Sequence, residues 1–256
     1  MRADKALVAR GLARSRARAV ELIRTGRVRL DGRELRRPSE PATDQQELTL
    51  AGDQGPALVS RAGEKLRGAL LDSQTEVPPG ARVLDAGACT GGFTHVLLTQ
   101  PGPVQRVYAV DVGHGQLAPE LRCDPRVVVR EGVNLRELSL AHLDGEPVDL
   151  LVADVSFISL TLLLKPMLGV LRPQGTALLL VKPQFEVGRA RLGKGGVVRS
   201  EADRHAAVEA VVAVAAELSW QADWRGDSRL AGRDGNRETF VRLRSEPQGE
   251  MSRVTP

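Results

Sequence analysis

The segment Val83-Leu84-Asp85-Ala86-Gly87-Ala88-Cys89-Thr90-Gly91-Gly92-Phe93 constrains the fold more than any other part of the chain. A strand-like apolar run enters a Gly-rich turn, and a helix follows at once. Gly87 and Gly91 let the backbone come close to a ligand where a Cβ would block it. Strand-like runs recur at 82–86, 106–111, 126–130, 149–154 and 176–182, with helical or loop stretches such as 94–98 and 117–121 between the first four. That alternation predicts βαβ units and a doubly wound, mostly parallel sheet. A helix around 206–218 and a late strand over 238–244 complete an α/β domain.

A second strand ends in Asp111, 24 residues after Gly87, where a carboxylate can accept both ribose hydroxyl hydrogens. Dinucleotides and S-adenosylmethionine both use this arrangement. Two features favour the latter. Asp85 precedes the glycines and can meet a cationic methionine end, and Cys89 stands where a pyrophosphate cradle needs its middle glycine. The candidate cofactor set is Asp85, Gly87, Ala88, Gly91, Gly92, Phe93, Asp111, Val112, Asn134 and Asp154. Asn134 either bonds the adenine edge or serves as a turn residue. Cys89 reads as a small turn residue rather than a nucleophile.

Charge is distributed unevenly. Residues 1–60 hold 12 basic and 8 acidic side chains, and the remaining 196 residues hold 24 of each. The positive excess therefore lies in the first quarter, which points to a polyanionic partner. Of the 36 basic residues only five are lysines, Lys5, Lys65, Lys165, Lys182 and Lys194. A chain so biased toward arginine keeps lysine where a compact ammonium, or an amine able to lose its proton, is needed.

Other classes are excluded in turn. The most apolar stretch, 157–171, is broken by Lys165 and Pro166 and is too short to cross a bilayer. The first 40 residues carry charge throughout and lack the apolar run of a secretory signal, so a cytoplasmic location is expected. Cys89 and Cys123 form no CxxC pair and the four His are scattered, so no metal site or disulfide framework is expected.

At the N-terminus, residues 3–10 predict a short helix closed by Gly11, and Ser15 can cap a second helix over 16–24 with Val20 and Ile23 on its inner face. An Asp31-Gly32 turn then joins two short alternating segments into a hairpin. The order Gly11-Leu12, Ser15-Arg16 and Gly26-Arg27-Val28 through Gly32 resembles the S4 RNA-binding domain. The resemblance implies binding to structured RNA, with Arg14, Arg16, Arg18 and Arg24 as phosphate contacts. Residues 37–60, with Pro38, Pro41, Gly52, Gly55 and Pro56 and one short strand-like run at 47–50, have the composition of a linker.

Four further segments belong together: Ser60-Arg61-Ala62-Gly63-Glu64-Lys65, Asp154-Val155-Ser156-Phe157-Ile158-Ser159, Lys182-Pro183-Gln184-Phe185-Glu186 and Gly235-Asn236-Arg237-Glu238. In a doubly wound sheet the strand tips preceding Asp154 and Lys182 flank the ligand crevice. The set resembles the FtsJ-like ribose 2′-O-methyltransferases and, with the S4 module in front, the TlyA family of ribosomal RNA cytidine 2′-O-methyltransferases. The likeness covers about residues 3–244. It implies a Rossmann-like class I S-adenosylmethionine-dependent methyltransferase domain, with a seven-stranded sheet, behind a small α+β S4 domain. The implied divisions are 1–50 for the S4 domain, 51–60 for the linker, 61–246 for the methyltransferase and 247–256 for a polar tail.

The resemblance implies the catalytic set Lys65, Asp154, Lys182 and Glu238. Lys182 would take the ribose hydroxyl proton or stabilise the alkoxide, with Asp154 steering it, while Lys65 and Glu238 hold the ribose and each other. His95 stands where many relatives carry an acid, and Cys89 where Ser is common, which bears on cofactor affinity. Arg189, Arg191 and Lys194 make the loop after Glu186 a candidate phosphate clamp, and Phe157 or Phe185 either stacks on a splayed-out base or belongs to the core. Ribosomal RNA, within ribosomal subunits, is the implied partner. Three other readings are a base methyltransferase, whose Pro-Cys and Asn/Asp-Pro-Pro-aromatic motifs are missing, a silent RNA-binding assembly factor, and a haemolysin.

Overall fold

The computed structural model describes residues 1–13, 15–24, 26–43, 45–50, 58–232 and 234–245. The chain forms two compact units, Met1–Ala57 and Leu58–Pro256.

The first unit holds helices α1 (Ala3–Ala9) and α2 (Arg16–Arg24) and the strands β1 (Val28–Leu30), β2 (Arg33–Glu34) and β3 (Leu48–Leu50), in the antiparallel order β2-β1-β3. Ser15 starts α2, its Oγ accepting the Arg18 N–H at 3.2 Å. Asp31 and Gly32 both take positive φ, 52° and 77°, as the tight hairpin turn requires. The buried face of α2 is Ala19, Leu22 and Ile23, packed with Leu7, Val28, Leu30, Leu35 and Leu48. Val20, expected inside, is only half-buried. The i, i+3, i+4 stripe starts one residue earlier, at Ala19, whose small side chain lets α2 lie close to the core.

In the second unit, β4 (Arg82–Ala86), β5 (Arg106–Asp111), β6 (Val127–Glu131), β7 (Val148–Ala153), β8 (Leu171–Val181), β9 (Trp220–Asp227) and β10 (Thr239–Ser245) form one sheet in the order β6-β5-β4-β7-β8-β10-β9. Ladders between β4, β5, β6, β7 and β8 are parallel, and β10 runs antiparallel to both β8 and β9. The sheet is thus seven-stranded and mostly parallel, as expected. Two features were not foreseen: the edge strand β9 and the helix α3 (Arg61–Asp72).

Alternation along each strand divides the core into two layers. Leu178, Leu180, Val83 and Val107 face one side with Leu66 and Leu70 of α3 and with Phe93, Val96 and Leu97 of α4 (Gly92–Leu98). Ala177, Leu179, Leu84 and Tyr108 face the other, with Val208, Val211 and Ala215 of the long C-terminal helix Glu201–Glu217. Both faces are covered, so the central strands are buried throughout and read as apolar runs. Chain direction from β4 diverges to β5 on one side and β7 on the other, which places the ligand crevice at their carboxyl ends. Asp154 borders that crevice, and Lys182 sits one strand further out.

Candidate active site

The turn after β4 is built on backbone conformations that suit glycine. Gly87 and Gly91 have φ of 83° and 90°. A Cβ on Gly87 would lie 2.8 Å from the Asp154 carbonyl oxygen, and one on Gly91 would lie 2.3 Å from Leu121. The room these glycines make is thus used first by the protein, drawing the tips of β4 and β7 together. Cys89 also has positive φ, 48°, and its thiol donates to Gln116 Oε1 at 3.2 Å, in keeping with a turn residue.

Asp85 is 0% exposed. Its Oδ2 accepts the Thr94 N–H and hydroxyl at 2.8 and 2.6 Å, while Oδ1 is buried without a hydrogen-bond partner. Burial pushes its pKa up to about 7 against the two Thr94 bonds, and the charges of Asp154 and Asp111 push the same way. An orphaned carboxylate oxygen beside a glycine turn fits a ligand that brings a cation. At the tip of β5, Asp111 accepts the Cys89 N–H on Oδ2 at 2.8 Å and the Gly113 N–H on Oδ1 at 2.7 Å. These bonds fix the carboxylate at the crevice. Val112 beside it is 70% exposed, an apolar platform suited to a flat ring.

Three residues of the expected cofactor set engage their side chains within the protein. The ring of Phe93 is buried and stacks on Phe240 with centroids 6.2 Å apart, so its side chain belongs to the core and only its backbone lies in the turn. Asn134 Oδ1 caps a 3-10 turn by accepting the Arg136 N–H at 3.1 Å. Ala88 is buried against Ala109, Leu117 and Leu121. His95 is buried, and its Nδ1 accepts the Val59 N–H at 3.2 Å, so an imidazole acceptor joins α4 to the segment before α3.

The four expected catalytic side chains form two close pairs. Lys182 Nζ lies 2.7 Å from Asp154 Oδ1 and donates to Ser156 Oγ at 2.6 Å. The Asp154 contact is one of charge rather than an aligned hydrogen bond, since Oδ1 has no bonded partner. Lys65, on the first turns of α3, donates to Glu238 Oε2 at 2.5 Å. In the β8–β10 ladder Thr239 faces Val181, so the next antiparallel step sets Glu238 opposite Lys182. Register therefore brings the two pairs to one end of the sheet. All four side chains are largely buried, where charge-assisted contacts hold geometry well.

Two residues with no expected role support this arrangement. Ser156 is the second partner of Lys182. Glu186 accepts the Ser159 hydroxyl at 2.5 Å and the Leu160 N–H at 2.9 Å, tying the loop after Lys182 to the loop after Asp154, and burial pushes its pKa up. Phe157 is 91% exposed, with φ of 67°, and leans on Phe185 at 5.3 Å between centroids. The core alternative for Phe157 therefore fails.

Of the expected phosphate-binding arginines, Arg14 lies outside the described residues. Arg16 bonds the buried Asp4 at 2.8 Å, Arg2 bonds the same carboxylate, and Asp4 is drawn down to about 2 by Arg2 first and Arg16 next. Arg18 is paired with Glu21 at 3.0 Å. Arg24 is exposed and lines a surface groove with Arg2, Arg16 and Ser39, and a neighbouring groove is lined by Arg33, Arg36 and Arg37. Sequence patterning missed Arg2 and this second set because they precede or follow the helix singled out. In the Gly-rich loop, Arg189 and Lys194 are exposed, and Arg191 is bonded to Asp203 at 3.1 Å. Among the described residues, no cluster of His, Cys, Asp or Glu could hold a metal ion, and no helix is long and apolar enough to cross a membrane.

The FtsJ-like methyltransferase family model matches residues 58–245, and the S4 domain model matches residues 1–48. The chain is 46% identical over 251 residues to the 16S/23S rRNA (cytidine-2′-O)-methyltransferase TlyA of Mycobacterium tuberculosis, covering 98% of this chain and 92% of that protein. It is also 33% identical over 238 residues to Hemolysin A of Brachyspira hyodysenteriae, covering 93% and 97%. A solved structure of a protein from Streptococcus thermophilus, which bears a hemolysin name, is 35% identical and superposes with a TM-score of 0.72 over 96% of this chain and 88% of that one. Aeropyrum pernix fibrillarin with natively bound S-adenosyl-L-methionine, 17% identical, shares the fold with a TM-score of 0.50 over 78% of this chain and 80% of its own.

Proposed function

The chain belongs to the FtsJ-like methyltransferase family and to its TlyA branch, and we propose that it methylates the 2′-hydroxyl of a cytidine ribose in ribosomal RNA. The observation that carries the reading is the Lys182–Asp154 pair beside the glycine turn, with Glu238 and Lys65 closing the far side. S-adenosylmethionine, when bound, supplies an electrophilic methyl on a cationic sulfur. The orphaned Asp85 oxygen, the Asp111 carboxylate and the exposed Val112 would hold it.

A ribose hydroxyl is a weak nucleophile at neutral pH. Lys182 donates one N–H to Ser156 and lies in charge contact with Asp154, which leaves a direction at its nitrogen open to the 2′-oxygen. As the neutral amine it takes the hydroxyl proton on its lone pair, and as the ammonium it donates an N–H to the developing oxyanion. Lys65 and Glu238 bind and orient the ribose, so that much of the acceleration comes from alignment. Exposed Phe157 offers a face for a splayed-out base, and Arg189 and Lys194 meet flanking phosphates. The S4 unit docks on structured RNA through the groove that Arg2 and Arg24 line.

The test is to incubate the protein with ribosomal subunits and methyl-labelled S-adenosylmethionine, then map the modified positions by resistance to alkaline hydrolysis. Label at alkali-resistant cytidines is expected. Label on a base would support the base-methyltransferase reading instead, and no transfer to any subunit would support a silent RNA-binding factor.

A further inference from the structure

Asn236 is 1% exposed, and the chemistry above leaves its side chain without a role. Its Oδ1 accepts the Val198 N–H at 2.9 Å, and its Nδ2 donates to the Gly196 carbonyl at 3.1 Å. Both partners lie in the turn that closes the Arg- and Gly-rich loop, where Gly193 donates to the Val197 carbonyl and Gly196 to the Gly193 carbonyl, each at 3.0 Å. Gly195 and Gly196 take φ of 78° and 74° there, so the turn is well defined by its glycines. On its other side, the Asn236 carbonyl accepts the Gly232 N–H at 2.8 Å, closing the turn that delivers Glu238. Gly232 lies so near that a Cβ on it would stand 2.5 Å from Glu238 Oε1. One buried amide therefore ties the loop that carries Arg189 and Lys194 to the turn that sets a catalytic carboxylate. A carboxamide suits this place because one bond needs an acceptor and the other a donor.

We propose that Asn236 is a positioning residue for the RNA substrate: it fixes the basic loop in register with Lys182 and Glu238, so that loop cations clamp the phosphates flanking the target ribose. The proposal rests on the reading of that loop as an RNA contact. A polar staple of this kind is costly to break, because the buried Val198 N–H loses its partner.

Asn236→Asp keeps the acceptor for Val198 but sets an oxygen against the Gly196 carbonyl. A combined Arg189→Gln and Lys194→Gln change removes loop charge and leaves the staple intact. Thermal midpoint, Kd for S-adenosylmethionine, and kcat and KM for ribosomal RNA are measured for each variant and for their combination. Asn236→Asp is expected to raise KM about tenfold with cofactor Kd and kcat within about twofold, the loss of one buried bond falling on the loop's hold on RNA phosphates. The loop change is expected to raise KM in the otherwise unaltered chain, and to add less than about twofold in the Asn236→Asp background, since residues acting through one another are not additive.

Unchanged KM in Asn236→Asp, additive effects of the two changes, or a loss confined to cofactor Kd would each overturn the proposal. If the loop change alone leaves KM unaltered, the reading of the loop as an RNA contact fails instead. Should Asn236→Asp not fold, Asn236→Ser, which retains a short acceptor, takes its place in the same comparison.

Discussion

Lys65 and Glu238, 173 positions apart in the chain, meet at 2.5 Å at the carboxyl end of the sheet. The contact joins α3 to the start of β10 and places two opposite charges where little water reaches. Removing one member strands the other. Glu238→Ala is expected to lower the free energy of unfolding by ~3–5 kcal/mol, as for a broken buried pair. Lys65→Met combined with Glu238→Leu should recover most of that loss while methyl transfer stays absent. Urea unfolding beside a methyl-transfer assay checks both, and a neutral Glu238→Ala would show the pair to be a surface ornament.

As the proposed contact for a cationic cofactor, Asp85 should make its binding depend on pH. Its pKa of about 7 means that below about pH 7 the free protein mostly holds a proton there, which a cationic ligand must displace. Affinity for S-adenosylmethionine should therefore rise with pH below about 7, by at most about tenfold per pH unit, and level off above it. Asp85→Asn should weaken binding and flatten the profile. The stability sign is opposite: a carboxyl whose folded pKa stands above its unfolded value binds more protons when folded, so it costs stability as pH rises from about 4 to about 7. Calorimetric titration at several pH values measures the linkage.

Phe157 should matter to RNA and not to stability. Its ring is almost wholly exposed, so Phe157→Ala is expected to leave the thermal midpoint unchanged. Loss of one base–aromatic stack, about 1–3 kcal/mol, should lower kcat/KM for ribosomal RNA roughly 5- to 150-fold. Unaltered kinetics would mean that the exposed ring serves something other than a base.

Arg16 and Arg24, at the two ends of α2, should separate. Arg24→Gln is expected to weaken RNA binding at all sequences and reduce the salt slope by about one unit, the signature of a lost phosphate contact. Arg16 anchors the buried Asp4, so Arg16→Gln should destabilise the first unit as well. The difference shows in binding curves taken against salt, set beside thermal unfolding of the same variants.

What the sequence made legible follows from burial. Strands β4 and β5 have the expected bounds because strands covered on both faces are written as apolar runs. Strand β9 escaped notice since Gln221, Asp223, Arg225 and Asp227 alternate with its inward residues, and an edge strand needs only one covered face. Helix α3 was hidden by Gly63 and Gly68, residues poor in helix propensity that are kept for close packing: a Cβ on Gly63 would lie 2.8 Å from the Gly92 carbonyl. The proposed catalytic set came into view through motif resemblance, whereas its supports did not. Ser156, Glu186 and Asn236 act through partners 26 to 40 positions away, and Asp4 acts through the fold around it. Spacing in one chain carries no trace of such contacts.

The most direct measurement is single-turnover methyl transfer to ribosomal subunits by Lys182→Ala, with cofactor Kd determined on the same protein. Lys182 touches Asp154 and Ser156, and its proposed work is on the ribose oxygen. The expected result is a rate lowered about 10²–10⁴-fold, the range for a lost proton-transfer group, with cofactor affinity retained. A near-normal rate, or a rate that falls only because the cofactor no longer binds, would contradict it.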